Sequence, residues 1–381
     1  MYLIEKSSIS LLSFSISTAY DSKRKYENRQ TKGVLHRFKF DQWRSHLLNC
    51  GIDLGGTKVA IALVSEAGEV QRQTEIRNHR DLSPVTLMKA IGASVRGLLA
   101  DVEISPHELK AIGVGTSGHV DYKSGTVMMN SNLPTFRNVP LANMIQGDLG
   151  VPVVVDNDAS AQAWGEYLFG SGRGHEDMVF VTTSTGFGAG IIVRGKIFRG
   201  VNGIAGEVGH AIVEPTSTVK CGCGRYGCQM AYSSGLTLPN VVREMLREGP
   251  RLAGKPIFGY VETAAAPSDI PFDNLSDEEI TGELIGSGLQ RGDPFCVQVV
   301  EQYADYMAIG LNNIMQTLDT GTFVIGGGLS NWGERYHERV RSQFTMLVKG
   351  MVPRIPVISL SSLGKDAAVI GAAFLPHADE E

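Results

Sequence analysis

Residues 206–228, GEVGHAIVEPTSTVKCGCGRYGC, restrict what this chain can fold into more than any other stretch. His210, Cys221, Cys223 and Cys228 stand in an H-x10-C-x-C-x4-C spacing, three thiols and an imidazole in one short glycine-rich segment. Such a set calls for a metal. Zn²⁺ takes four N/S ligands tetrahedrally, and a closed Cys3His set with no open position is the structural kind of site. Gly222, Gly224 and Gly227 let the backbone fold back far enough for three sulfurs to reach one ion. The competing reading, three buried or reactive cysteines beside a core histidine, leaves the spacing unexplained. Glu207, on the same loop as His210, makes the segment a clamp that holds polar side chains toward a substrate, with the metal shaping the site and taking no part in the chemistry.

The chain has 381 residues, beyond the length at which one hydrophobic core stops growing, so two lobes are expected. No apolar run reaches the roughly 18 residues of a membrane span, and no membrane partner is expected. A net charge of -5 gives no electrostatic reason to expect nucleic acid. Three of the five cysteines lie in the metal loop and Cys50 and Cys296 stand alone, which suits a reducing cytoplasm. The first 47 residues differ: nine Lys or Arg face four acids there, leaving a balance of -10 on the remainder. Serine-rich and polar without a helical stripe, residues 1–47 read as a poorly ordered extension. They lack the charged and apolar regions of a secretory signal, while an organellar transit peptide and a misassigned start codon both fit.

From Leu48 the pattern changes to strand, glycine turn, strand, with Asp53 just before Gly55, Gly56, Thr57 and Lys58. The amides of such a hairpin can cradle phosphate oxygens, with Asp53 facing a nucleotide's metal, although an ordinary tight turn has the same pattern. The spacing matches neither G-x-G-x-x-G nor G-x-x-x-x-G-K-[ST]. Leu87, Ile91, Val95 and Leu98 mark a packing helix over 84–100. A buried strand then runs into a loop at 115–121, and a polar loop holds Asn130 and Asn132. Val153, Val154 and Val155 form a short strand ending in Asp156, Asn157 and Asp158, followed by a helix over 159–169. Asp158 at that helix start is either a general base or an N-cap. Residues 178–200 repeat the hairpin design, with Ser184, Thr185 and Gly186 at the turn, the layout of a cleft enzyme gripping a nucleotide from two sides. Helices are expected over 232–249 and 294–318, with a surface loop over 250–275. Gly326, Gly327 and Gly328 end an apolar strand and let a flat ring lie against the backbone. The tail is a strand and then a small-residue helix that returns to the first lobe.

From about Leu48 to Pro376 the chain resembles the ROK sugar kinases of the actin, hexokinase and Hsp70 superfamily. The motifs GIDLGGTK, VVDNDA, TGFGAGI followed by GEVGH, CGCGRYGC, VIGGGLS and GKDAAVIGAA carry the likeness, in the family's order. The resemblance implies an α/β, two-lobed actin-like ATPase (ribonuclease H-like) fold with a central cleft and a structural zinc loop. One lobe would comprise 48–160 with 366–381 and the other 161–365. It implies ATP with Mg²⁺ as donor, a hexose (glucose first) or an N-acylhexosamine as acceptor, and a homodimer or homotetramer. Asp158 matches the family's base. Gly118, His119, Asn132, Asn157, Glu207 and His210 match sugar-facing positions.

Two places depart from the family pattern. A glutamate usual two residues after the last zinc cysteine is Met230 here, and Ser184 replaces the first glycine of a Gly-Thr-Gly. Losing a charged hydrogen bond to a hydroxyl costs about 1.5–3 kcal/mol, which bears on acceptor preference. A sugar-responsive repressor of the same family would need a winged helix-turn-helix of roughly 70–80 residues before the first hairpin, where 47 residues show no recognition-helix pattern. A non-catalytic sugar-binding protein is the third reading.

Overall fold

Apolar runs broken at glycine turns build two sheets of one design. In the first, β1 (Leu48–Leu54), β2 (Lys58–Val64) and β3 (Val70–Arg77) form an antiparallel meander. Helix α1 (Pro84–Ala100) follows, started by Ser83, whose hydroxyl accepts from the Thr86 amide, and by Pro84 in the first turn. Its Leu87, Ile91, Val95 and Leu98 are buried as the helical spacing requires. Strand β4 (Leu109–Thr116) then runs parallel to β1. Strands β5 (His119–Asp121), β6 (Thr126–Met129) and β7 (Arg137–Val139) make a small antiparallel sheet of their own. Helix α2 (Leu141–Leu149) leads to β8 (Val153–Asn157), parallel to β4, which completes the order β3-β2-β1-β4-β8. The computed structural model describes residues 48–79, 81–130, 132–250 and 264–379, so the extension 1–47 and residues 251–263 of the expected surface loop lie outside the described residues.

Helix α3 (Asp158–Phe169) leads to the second sheet, where β9 (Met178–Thr183), β10 (Phe187–Val193) and β11 (Lys196–Ile197) repeat the meander. Helices α4 (Gln229–Ser233), α5 (Leu238–Glu248), α6 (Gly282–Arg291) and α7 (Pro294–Leu318) come next. Strand β12 (Thr322–Gly326) is parallel to β9. Helix α8 (Glu334–Val348) and β13 (Val357–Leu360), parallel to β12, give the order β11-β10-β9-β12-β13. Helix α9 (Ala367–Phe374) closes the chain. Among the described residues no helix is long and apolar enough to cross a membrane.

The helix expected over 232–249 is two helices. Between them the Gly235 amide donates to Ser184 O at 2.7 Å and the Leu236 amide to Thr185 O at 3.1 Å, so this backbone anchors the second hairpin turn and cannot continue a helix. Buried α7 anchors the larger core, and its Tyr306 stacks on Tyr232 of α4 with ring centroids 4.2 Å apart.

Each sheet sends a helix to the other. Helix α3 leaves β8 and packs on β9 and β10, while α9 follows β13 and packs on β1 and β4, and the two helices cross. Small residues permit that crossing: a Cβ on Gly371 would lie 1.7 Å from Ala161 O, and one on Gly113 of β4 would lie 1.7 Å from Ala372 O. In an open helix Gly→Ala gains about 0.5–1 kcal/mol. Gly371→Ala is instead expected to cost about 1–3 kcal/mol through forced separation of α3 and α9. The measurement is the urea midpoint, which should fall at unchanged slope; a midpoint at or above that of the parent would show that the helices part freely.

Candidate functional site

The parallel strands β1, β4 and β8 run in one direction and their registers set Asp53, Gly115 and Asp156 side by side, with Leu54, Thr116 and Asn157 one step further. Carboxyl ends of strands in open α/β sheets are where ligands bind. Asp158 opens α3 just beyond that row. The N-cap role that Asp158 might have taken belongs to Asn157, whose Oδ1 accepts from the amides of Ala159 and Ser160 at 2.9 and 3.4 Å. Asp158 accepts from the Ala159 amide at 2.9 Å, which leaves its second carboxylate oxygen for another partner. Burial pushes the Asp158 carboxyl up to about 6, opposed by the Ala159 amide and reinforced by the charge of Glu207. Burial, and then the charge of Asp158, likewise push Asp53 up to about 6 against the pull of Lys58. Glu207 is raised by burial and opposed by His119. Asp158 therefore raises Asp53 and is itself raised by Glu207, which places these carboxyls within electrostatic reach along one row.

The polar loops converge on the same space. His119 Nε2 lies 2.7 Å from Asn202 O. Gly118 has φ +93° and packs so closely on Met129 O that a Cβ would come within 2.3 Å. Asn157 Nδ2 donates to Gly118 O at 3.3 Å. Asn132 Nδ2 donates to Ser117 Oγ at 3.1 Å, and its Cβ lies 2.9 Å from where a Cβ on Gly56 would stand, so this loop abuts the first hairpin turn. Buried Asn130 organises the loop: its Oδ1 accepts from Ser117 Oγ and from the Asn132 and Leu133 amides at 2.9–3.1 Å.

The two hairpin turns differ in what holds them. In the first, the Gly55 amide donates to Lys58 O at 3.1 Å, and buried Asn78 clamps the turn by donating to Gly55 O and Thr57 O at 2.7 and 2.8 Å. Lys58 itself pairs with Glu75 at 2.7 Å, with both side chains more than half exposed. Such a pair is worth about 0–1 kcal/mol, little enough for an incoming anion to displace. In the second, Ser184 and Thr185 are fixed by the backbone after α4, and the Ser184 amide donates to Gly186 O at 2.9 Å. Gly327, with φ +91°, sits against Thr183, and a Cβ on Gly328 would lie 3.8 Å from Ser184 Oγ. Gly326 ends β12 beside Thr182 of β9, so the three glycines flank this turn.

His210, Cys221, Cys223 and Cys228 offer ligand atoms that all lie within 4.8 Å of one another. Cys221 Sγ is 3.7 Å from His210 Nδ1, and Cys223 Sγ is 3.7 Å from Cys228 Sγ. Ligands about 2.1–2.3 Å from a tetrahedral zinc stand about 3.5–3.8 Å apart, so the donor set fits that ion. The other ring nitrogen, His210 Nε2, is 3.7 Å from Glu207 Oε2, which divides the imidazole between the cluster and the acidic space. Met230 joins the parts: its side-chain atoms lie 3.8, 3.5 and 3.7 Å from where Cβ atoms on Gly186, Gly209 and Gly222 would stand.

The ROK family model matches residues 49–379. The chain belongs to the ROK family. A glucokinase of Streptomyces coelicolor is 33% identical over 332 residues, 86% of this chain and 97% of that one. An N-acetylmannosamine kinase of Salmonella heidelberg is 30% identical over 328 residues, covering 86% and 98%. Among solved structures, a ROK family glucokinase from Streptomyces griseus in complex with glucose and AMPPNP superposes with a TM-score of 0.69 at 34% identity, covering 86% of this chain and 98% of that one. In this ROK protein the sequence pattern marks Asn130 only as a member of a polar loop and gives no sign of Asn78 and Arg199, which work through partners distant in the chain. A buried Asn between strands leaves no periodic signal.

Proposed function

We propose that the protein is an ATP-dependent sugar kinase that transfers the γ-phosphoryl group of Mg-ATP to a hydroxyl of a hexose, with glucose the first candidate. The observation that carries this reading is Asp158, with the N-cap role held by Asn157, within electrostatic reach of Asp53 and Glu207. Lobes of 48–160 with 366–381 and of 161–365 would close on that space. Glu207, the Nε2 edge of His210, Asn157 and the Gly118, His119 and Asn132 loop would hold the sugar, and Gly55 to Lys58, Thr185, Gly186 and Gly326 to Gly328 the nucleotide. Asp53 would help hold the divalent cation that accompanies it, which would neutralise phosphate charge when bound. The acceptor oxygen attacks the γ-phosphorus, the bond to the β-bridging oxygen breaks, and the hydroxyl proton passes to Asp158. Phosphoryl transfer asks the protein chiefly for positioning and charge placement. His210, Cys221, Cys223 and Cys228 would hold zinc, which supplies a fixed cross-link when bound; the loop residues themselves orient Glu207. An N-acylhexosamine is the second reading, favoured by Met230, whose apolar thioether suits an acyl substituent better than a bare hydroxyl.

Release of ADP with a panel of hexoses and N-acylhexosamines is the direct test. Asp158→Asn is expected to lower kcat about 10²- to 10⁴-fold; if no sugar stimulates turnover, the kinase assignment fails. The base works ionised and its pKa is raised, so the protonated, inactive form takes over as pH falls through about 6. Below that, kcat/KM should drop about tenfold per pH unit, with the apparent pKa shared between Asp158 and Asp53. A flat profile down to pH 4.5 would contradict the role of Asp158.

Protein purified without added metal should carry about one zinc per chain. Cys221→Ser should lose most of it, and retention of full zinc and full sugar affinity would remove the assignment.

A carboxylate at 230 would bind the acceptor in the ground state and transition state alike, since the reacting hydroxyl lies at Asp158. Met230→Glu is therefore expected to lower KM for the best hexose by about tenfold or more and to move kcat by less than about threefold. An unchanged or raised KM would point to the N-acylhexosamine.

A further inference from the structure

We propose that Arg199 is a positioning residue that locks the strand end bearing Asp158 to the loop bearing Glu207, and thereby sets the geometry of the acceptor site; this deepens the kinase reading above and rests on it. Arg199 lies just after β11 and is buried. Its Nε donates to Asp156 Oδ2 at 2.6 Å and its Nη1 to Asp379 Oδ1 at 2.9 Å, while the guanidinium carbon lies 4.5 Å from the centre of the Tyr122 ring. Four separate stretches of chain thus meet on one side chain: the end of β8, the turn after β5, the C-terminal segment after α9, and the 199–206 loop.

Both ends of the lock lead to the site. Asp156 Oδ1 accepts from the Asn157 amide at 2.7 Å, so the carboxylate that holds Arg199 also holds the residue that caps α3 and precedes Asp158. On the other side Arg199 O accepts from the Ala205 amide at 3.1 Å and Gly206 O from the Ala189 amide at 2.9 Å, which closes the loop immediately before Glu207. The same loop offers Asn202 O to His119 Nε2 and sets Gly203 so near Val120 O that a Cβ would come within 2.8 Å. Asp158, Glu207 and His119 therefore depend on one fork.

Stability is a weak reason for this arrangement, because a buried ion pair can be replaced by apolar residues at little net loss. Geometry is the stronger one. Two donors of one rigid plane reach two different carboxylates while the flat face covers a ring, and a lysine's point charge cannot do all three.

The test uses the full chain, with Arg199→Met, Arg199→Lys and the double variant Arg199→Met with Asp156→Asn, which leaves no unpaired buried carboxylate if the single variant fails to fold. With the best sugar of the acceptor panel, the folded variants should lose about 30-fold or more in kcat/KM for sugar while KM for ATP moves less than about threefold, and lysine should restore little. Native-state hydrogen exchange should quicken together, by about tenfold or more, at 117–122, 156–160 and 199–207, with the amides of α7 unchanged. A folded double variant with the parent's kcat/KM for sugar overturns the proposal. So does faster exchange confined to 199–206, or spread evenly over the whole chain. If the parent phosphorylates no sugar, the kinase reading fails on that result alone, and the joint exchange response still decides whether Arg199 links the three segments.

Discussion

Backbone-to-backbone contact between α3 and α9 is what the rest of the molecule hangs on. Each helix belongs by connection to one sheet and by packing to the other, so their crossing is the joint through which both sheets are held. The joint is rigid because it is made of backbone in direct contact, with Gly371 against Ala161 O and Gly165 against Ala367 O, and α9 sits as closely on β4, with Gly113 against Ala372 O. Side chains of ordinary size would push the two helices, and the sheets packed on them, apart. Close packing of this kind transmits displacement poorly tolerated elsewhere in a core.

The electrostatics of the site follow from that closeness. Bringing β1, β8 and the 206–210 loop together sets Asp53 and Asp158 where burial disfavours charge, with Asp158 raising Asp53 and the more exposed Glu207 raising Asp158. A group in that condition gains from taking a proton or facing a cation. Division of labour at the start of α3 makes this possible. Asn157 satisfies the helix amides as a neutral cap, and Asp158 keeps basicity that a capping carboxylate would have lost.

Around this centre the chain adds braces of different chemistry. The Cys3His cluster brings the segment after Glu207 against the start of α4. Met230 fills the gap between that cluster and the second hairpin turn, and the same turn is pinned from behind by Gly235 and Leu236. The helix expected over 232–249 breaks where those amides are spent on Ser184 and Thr185 rather than on their own preceding carbonyls. Local propensity favoured one helix, and a tertiary hydrogen bond decided for two.

The sequence by itself determined the local pieces: the glycine-turn hairpins, helix α1 over 84–100, the strand-then-aspartate approach to α3, and the Cys3His spacing. These depend on residues within one or two turns of each other, so periodicity and turn chemistry report them. Only the tertiary structure decided that Asn157 rather than Asp158 caps α3, that Lys58 lies on Glu75, that Asn130 and Asn78 hold the polar loops, and that Arg199 gathers segments as far apart as Tyr122 and Asp379. Each of those is a directional hydrogen bond or ion pair between positions remote in the chain. Such contacts form only after burial has fixed which backbone stands beside which, and a linear pattern carries no record of that distance.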